Sequence, residues 1–339
     1  MPRHLVDGTE PGAAGVSALA RRALALRGGA KPRRHDGKRL GAVFFNSSLR
    51  TRMSMEAACG ALGIQPLTLS PGQDAWKLEI RDGVVMNGDE AEHITEAVKV
   101  LAEYADALAV RAFAGLTDLD YDRADPVIAA FIKHAGVPVI NMESARYHPL
   151  QGLADTATWM SRFGEDLRGV PLTITWAPHP RTLPLAVVQQ DLLSSSLMGM
   201  DVTLAHPEGF DVDPEILERA TAQAQAAGGK LRVTNDQDGA MKGARVVLAK
   251  NWSGFSGYAD RAAESKRRAT LGDWTVTPEK LALTQDAGFM HCLPVRRNVV
   301  VSDAVLDGSA SWVIEQAGLR LWTAMALLEG LWEEGPWSV

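Results

Sequence analysis

Short apolar runs alternate with stretches of helical period along the whole chain. "RLGAVFF" (39–45), "ALAV" (107–110) and "VPVINM" (137–142) are nearly unbroken apolar runs. Such runs suit parallel strands covered on both faces. Between them, "TRMSMEAACGALG" (51–63), "EHITEAVKVLAEY" (92–104) and "DPVIAAFIKHAG" (125–136) carry the helical period. Gly63 stops the first and Pro126 opens the last. The alternation then restarts. Helical segments at 148–164, 183–199 and 213–229 separate strands at 170–176, 201–206 and 230–235, and "ARVVLAK" (244–250) and "AGFMHCLP" (287–294) complete the set. This predicts an α/β protein of two domains, each a parallel sheet flanked by helices. The domains are expected at 1–147 and 148–317, with the apolar last helix, 318–332, packing back on the first. "KNWSGFSGYADRAAESKRRATLGDW" (250–274) shows little periodicity and reads as a long loop of the kind that closes over a site. In such folds ligands bind beyond the carboxyl ends of the strands.

Composition narrows the class. A chain of 339 residues, 46% of them hydrophobic, suits two domains better than one core. A net charge of −6 argues against a general nucleic-acid binder, yet leaves room for a local basic pocket and a small anion. The two cysteines, Cys59 and Cys292, form no disulfide framework and no zinc-type spacing. The first fifteen residues lack the apolar core of a signal peptide, and no run approaches the roughly 18 apolar residues of a membrane span. A soluble cytoplasmic protein is expected.

Three stretches carry candidate chemistry, each near a strand end. "FFNSSLRTR" (44–52) stops a buried strand at Asn46 and follows it with hydroxyls and guanidinium groups. If a helix opens at Arg50, its free N–H groups and the side chains around them make an anion site. No G-x-x-x-x-G-K and no G-x-G-x-x-G is present, so neither a Walker loop nor dinucleotide binding is supported. In "HPLQGLAD" (148–155), His148 and Gln151 share a helix face and suit a planar carbamoyl or amide group. "MHCLPVRRN" (290–298) places His291, Cys292, Arg296 and Arg297 at a strand end closed by Pro294. Alone, each has a plain structural alternative: a capped helix start or a packed cysteine.

In this order and in a two-sheet chain, Ser-x-Arg-Thr-Arg, His-Pro-x-Gln and His-Cys-Leu-Pro resemble the aspartate/ornithine carbamoyltransferase family, over nearly the whole length. The resemblance implies transfer of a carbamoyl group from carbamoyl phosphate to an amine. It also implies no metal or organic cofactor, no nucleic-acid or membrane partner, and self-association as a homotrimer with shared active sites. Residues 1–147 would bind carbamoyl phosphate and 148–317 the amine. Ser48, Leu49, Arg50 and Thr51 would hold the phosphate, and Arg111 would bridge phosphate and carbamoyl oxygen. His148 would reach that oxygen and Gln151 the carbamoyl NH2. Arg297, with Arg296 a near alternative, would complete the set. Cys292 and the Leu293 carbonyl would orient the amine.

The acceptor follows from departures within the family. An Asp-led Ser-Met-Gly loop, which holds free ornithine in the ornithine enzymes, is missing, and "AKNWSGFSG" (249–257) stands in its place. "NMES" (141–144), "TWAPHPR" (175–181), "GQDAWKLE" (72–79) and "NGDEAEH" (87–93) resemble the branch acting on N-acetylornithine or N-succinylornithine. By that resemblance Lys250 binds the α-carboxylate, Glu143, His179 and Arg296 contact the acylated substrate, and Trp76 covers carbamoyl phosphate in a neighbouring subunit. One residue before "EH" the acetyl enzymes place Glu and the succinyl enzymes Pro; here it is Ala91, and Val300 stands where the acetyl type carries Lys. A carboxylate at position 91 would repel the second carboxylate of a succinyl substrate by on the order of several kcal/mol. N-succinyl-L-ornithine is therefore the expected acceptor and N-acetyl-L-ornithine the alternative. Free ornithine and a non-catalytic carbamoyl-phosphate-binding homologue are the remaining readings.

Overall fold

The computed structural model describes residues 3–333 and 337. Contacts divide the chain into two compact units: residues up to Leu153 with those from Arg320 onward, and Ala154–Leu319. The sequence places the first boundary ahead of the Pro149–Phe163 helix. The contacts divide inside that helix, and again inside the Val313–Gly330 helix.

The first unit is built on strands β1 (Arg39–Phe44), β2 (Gln65–Leu69), β3 (Leu78–Glu79), β4 (Glu92–His93), β5 (Ala107–Arg111) and β6 (Val139–Glu143). Four of them form a parallel sheet in the order β2-β1-β5-β6, while β3 and β4 pair separately. Val43, Val98, Leu108, Phe131 and Val139 share one buried cluster, which is why the central strands read as unbroken apolar runs. Gly41 on β1 meets a physical demand: a Cβ there would lie 2.7 Å from Leu108 Cδ2.

The second unit holds β7 (Pro171–Trp176), β8 (Asp201–Ala205), β9 (Lys230–Thr234), β10 (Val246–Lys250) and β11 (Gly288–Met290), all parallel in the order β11-β10-β7-β8-β9. Val247, Phe289, Val301 and Val305 lie in its core.

Three elements differ from the sequence reading. β2 is an edge strand, partly or fully exposed at every position, and carries Pro66, so it shows no apolar run. The Gly12–Arg27 helix escaped notice because glycines and arginines interrupt its apolar spacing. The segment 250–274 is not structureless, since it contains helices Ser256–Ala259 and Arg261–Ala269. The second is opened by Asp260, whose carboxylate accepts from the N–H groups of Ala262 and Ala263. Its apolar residues are alanines, which leave no stripe to read.

Candidate active site

In the first sheet, β1 connects toward β2 on one side, and its other neighbour, β5, leads to β6. The reversal between β1 and β5 is the topological switch point where such sheets bind ligands. The two strand exits are tied together there, because Asn46 Oδ1 accepts from the Phe113 N–H at 2.7 Å. Ser48 Oγ accepts from the Thr51 N–H at 3.2 Å and opens the Arg50–Leu62 helix, so the positive end of a thirteen-residue helix falls on this exit. Leu49 beside it is 75% exposed.

Thr51 is buried, and two guanidinium groups converge on its hydroxyl. Arg111 Nη1 lies 3.3 Å away and Arg320 Nη2 2.7 Å. Arg111 ends β5, lies over the Phe113 ring at 4.3 Å and pairs with Glu143 Oε2 at 2.6 Å. That oxygen is 3.1 Å from His148 Nε2. Arg320 Nη1 donates to Gln151 Oε1 at 2.8 Å and meets the same His148 nitrogen at 3.1 Å. One imidazole nitrogen offers either a proton or a lone pair, so His148 Nε2 serves Glu143 or Arg320 but not both. Two guanidinium groups against one carboxylate leave this buried cluster with a net positive charge, before the helix N-terminus is counted. It is fitted to an anion with a planar polar group attached.

The turn that carries Glu143 and His148 is itself held from below. Ser144 Oγ accepts from Asn141 Nδ2 at 3.0 Å and the Tyr147 N–H at 3.2 Å, and donates to the Asp125 carboxylate. Burial pushes the Asp125 carboxyl up to about 6, against the opposing effect of the Ser144 bond.

The second sheet has its own reversal, between β7 and β10. Lys250 ends β10, is only 8% exposed, and donates from Nζ to the Asn251 carbonyl at 3.1 Å. Among the described residues no carboxylate forms an ion pair with it, although its charge acts on the buried Asp191 carboxyl, so the ammonium keeps donors to offer. His179 follows β7, and its Nδ1 accepts from the Arg181 N–H at 3.0 Å. The same Nδ1 lies 3.1 Å from the Arg181 carbonyl, to which a protonated ring would donate. Burial lowers the His179 pKa, the cations Lys250, Arg296 and Arg268 push the same way, and a bond to that carbonyl opposes them. Beyond β11, Cys292 is half-buried and Leu293 adopts φ +56°, a conformation costly for leucine. The Leu293 N–H is held by His291 Nδ1 at 2.9 Å, the His291 N–H by Gln316 Oε1 at 3.0 Å, and Gln316 Nε2 donates to Asp155 Oδ1 at 2.6 Å. By contrast the Cys59 thiol lies in the core, where burial pushes it up to about 12. It is inert.

Several expected residues stand outside these groups. Arg297 is exposed and held in ion pairs with Asp303 at 2.8 Å and Asp307 at 2.7 Å. The arginine that joins Thr51, His148 and Gln151 is instead Arg320, on the last helix, which the sequence reading passed over. The signal was there: a lone arginine in an apolar helix must find partners when buried. Arg296 is exposed, and Val300 is buried in the core, where it can contact no anion. Trp76 is 61% exposed, and its Nε1 donates to Glu92 Oε2 at 2.8 Å. The Ala91 N–H donates to the Lys77 carbonyl at 3.2 Å, so Trp76 and Ala91 travel on the same small β3–β4 tongue.

Residues 3–161 match the family model of the aspartate/ornithine carbamoyltransferase carbamoyl-P binding domain, and residues 186–331 that of the Asp/Orn binding domain. The N-acetylornithine carbamoyltransferase of Xylella fastidiosa is 38% identical over 97% of this chain and 98% of its own. The N-succinylornithine carbamoyltransferase of Bacteroides fragilis is 40% identical over 88% of this chain and 89% of its own. A crystal structure of an N-acetyl-L-ornithine transcarbamylase with one glutamate changed to alanine, complexed with carbamyl phosphate and N-succinyl-L-norvaline, superposes with a TM-score of 0.94 at 38% identity, covering 97% of this chain and 99% of that one. The chain belongs to the aspartate/ornithine carbamoyltransferase family, in its N-acylornithine branch.

Proposed function

We propose that the protein transfers the carbamoyl group of carbamoyl phosphate to the δ-amine of N-succinyl-L-ornithine, giving N-succinyl-L-citrulline and phosphate. The observation that carries the transfer is the convergence of Arg111 and Arg320 on Thr51 at a helix N-terminus, with His148 and Gln151 held by Arg320. The amine nitrogen attacks the planar carbonyl carbon, the carbon–oxygen bond to phosphate breaks, and the amine proton leaves with a phosphate oxygen. Negative charge grows first on the carbonyl oxygen and then on the leaving group, and fixed cationic donors stabilise both. Ser48, Leu49, Arg50, Thr51 and Arg111 take the phosphate, with Arg320 in the place the sequence assigned to Arg297. His148 and Arg320 address the carbonyl oxygen and Gln151 the NH2. Lys250 takes the substrate's α-carboxylate, and Cys292 with the Leu293 carbonyl orients the amine. The free amine has a pKa of about 10.4, so roughly one molecule in a thousand is reactive at pH 7; holding both reactants together supplies much of the remaining acceleration.

The succinyl choice rests on Ala91. Position 91 itself carries no carboxylate, and an acetylornithine relative freed of one glutamate holds a succinyl compound. We place Ala91 at that glutamate's position. N-acetyl-L-ornithine is the second reading, favoured by the names of several similar relatives. We further propose a cytoplasmic homotrimer in arginine biosynthesis, with Trp76 reaching a neighbour's site. Its exposure suits that role, and among the described residues no helix is long and apolar enough to cross a membrane. The test is product formation from carbamoyl phosphate with ornithine, N-acetylornithine and N-succinylornithine in parallel, for wild type and Ala91→Glu. Succinylornithine should react best, and Ala91→Glu should suppress it selectively. Preference for either other amine refutes the assignment.

A further inference from the structure

Arg268 lies on the Arg261–Ala269 helix, in the segment that the sequence presents as a loop. It is 3% exposed. Its Nη2 pairs with Glu264 at 3.1 Å, one turn back on the same helix, and donates to Thr182 Oγ1 at 3.3 Å. Among the described residues nothing accepts from its Nη1, although that atom is buried. An arginine so placed is anomalous, because a guanidinium withdrawn from water normally fills its donors. Arg268 lines a cavity of about 540 Å³ together with His179, Ser265, Pro178, Pro180 and Val299. The prolines and valine make apolar walls. His179, in the same lining, has its Nδ1 engaged by the Arg181 backbone, whose N–H and carbonyl lie 3.0 and 3.1 Å away.

We propose that this cavity is a carboxylate subsite, with the Arg268 guanidinium receiving the terminal carboxylate of the succinyl group through Nη1 while its two methylenes lie against Pro178, Pro180 and Val299. The inference rests on the succinyl reading above and adds Arg268 to it. Glu264 pairs with Arg268 through Nη2 and leaves Nη1 unfilled, while Lys250 and Arg296 are further cations that act on neighbouring His179. Burial lowers the Arg268 pKa, which a bound carboxylate would offset. Neutral N-acetyl brings no carboxylate to this guanidinium.

A charge-assisted hydrogen bond to a carboxylate typically gives about ten- to a hundredfold in affinity. The test compares kcat and KM for N-succinylornithine and N-acetylornithine in wild type, Arg268→Gln and Arg268→Lys, with Tm recorded for each. The wild-type ratio of the two kcat/KM values tests the succinyl reading itself, and a ratio favouring acetylornithine ends both ideas together. Where wild type favours succinylornithine, Arg268→Gln should lower that ratio at least tenfold, chiefly through KM for the succinyl substrate. Arg268→Lys should restore part of it. An equal loss for both substrates, or an unchanged ratio, assigns Arg268 to fastening its helix through Glu264 and overturns the proposal while leaving the succinyl reading intact. If Arg268→Gln fails to fold, binding of N-succinyl-L-norvaline to Arg268→Lys in the presence of carbamoyl phosphate decides: affinity equal to wild type overturns it.

Discussion

Replacing Arg320 by Gln separates a catalytic cation from a merely buried one. Its guanidinium reaches Thr51, Gln151 and His148 at 2.7, 2.8 and 3.1 Å, and it is 5% exposed. Each hydrogen bond from a charged group is worth about 1.5–3 kcal/mol. Donors aimed where charge develops cost about 10²- to 10³-fold in rate when removed, or about 2.7–4 kcal/mol. Arg320→Gln should therefore lower kcat/KM for carbamoyl phosphate by about two to three orders of magnitude. Arg320→Lys keeps the charge but cannot span three acceptors, and should recover only a fraction.

The control is Arg297→Ala. Arg297 sits in exposed ion pairs with Asp303 and Asp307, which contribute about 1 kcal/mol or less to stability. It should stay within about threefold of wild type. The assay is steady-state citrulline-type product formation with carbamoyl phosphate varied, alongside thermal unfolding to confirm that each variant is folded. A folded Arg320→Gln enzyme retaining a tenth or more of wild-type kcat/KM would refute the assignment, as would an Arg297→Ala enzyme that falls as far.

Three further outcomes follow from the geometry. Asp125 is held at about 6 in the folded state against an unfolded value of about 3.9, so the folded protein keeps a proton that the unfolded chain has lost between these values. Stability contributed by that proton is present below about pH 4 and is lost as pH rises through about 6, by up to roughly 3 kcal/mol; denaturant titrations of Asp125→Asn should lack this loss, and identical pH profiles would exclude it. Gly288→Ala places a Cβ about 2.0 Å from the Trp312 ring in the strand leading to Cys292; overpacking should cost about 1–3 kcal/mol or more in chemical denaturation, and an unchanged midpoint would contradict the packing. Native protein treated with a thiol reagent should label Cys292 and not Cys59, which is fully buried with its thiol pushed up to about 12; modification of Cys59 at a comparable rate would show that its core opens.

What was legible in the sequence is what depends on neighbours in the chain. Val43, Leu108 and Val139 announce central strands because burial on both faces demands unbroken apolar residues. The phosphate loop, His148 and Gln151 were legible because one strand exit or one helix turn fixes them. β2 was lost because an edge strand has only one face to bury, and the Arg261–Ala269 helix because alanines leave no stripe. Arg320 is the instructive failure. Its partners lie 169, 172 and 269 residues away in sequence, so no local spacing names it, whereas Arg297 stands beside a motif and attracts the assignment. Yet local chemistry contained the contradiction. Two adjacent arginines after a strand have a cheap resting place in water, and Arg297 found it. A single arginine in "GLRLWTAMALLEGLW" has none if that helix packs by its apolar residues, and an unpaired buried guanidinium is too costly to persist. The same reasoning singles out Arg268, another buried arginine, whose local partner Glu264 leaves one of its donors unfilled.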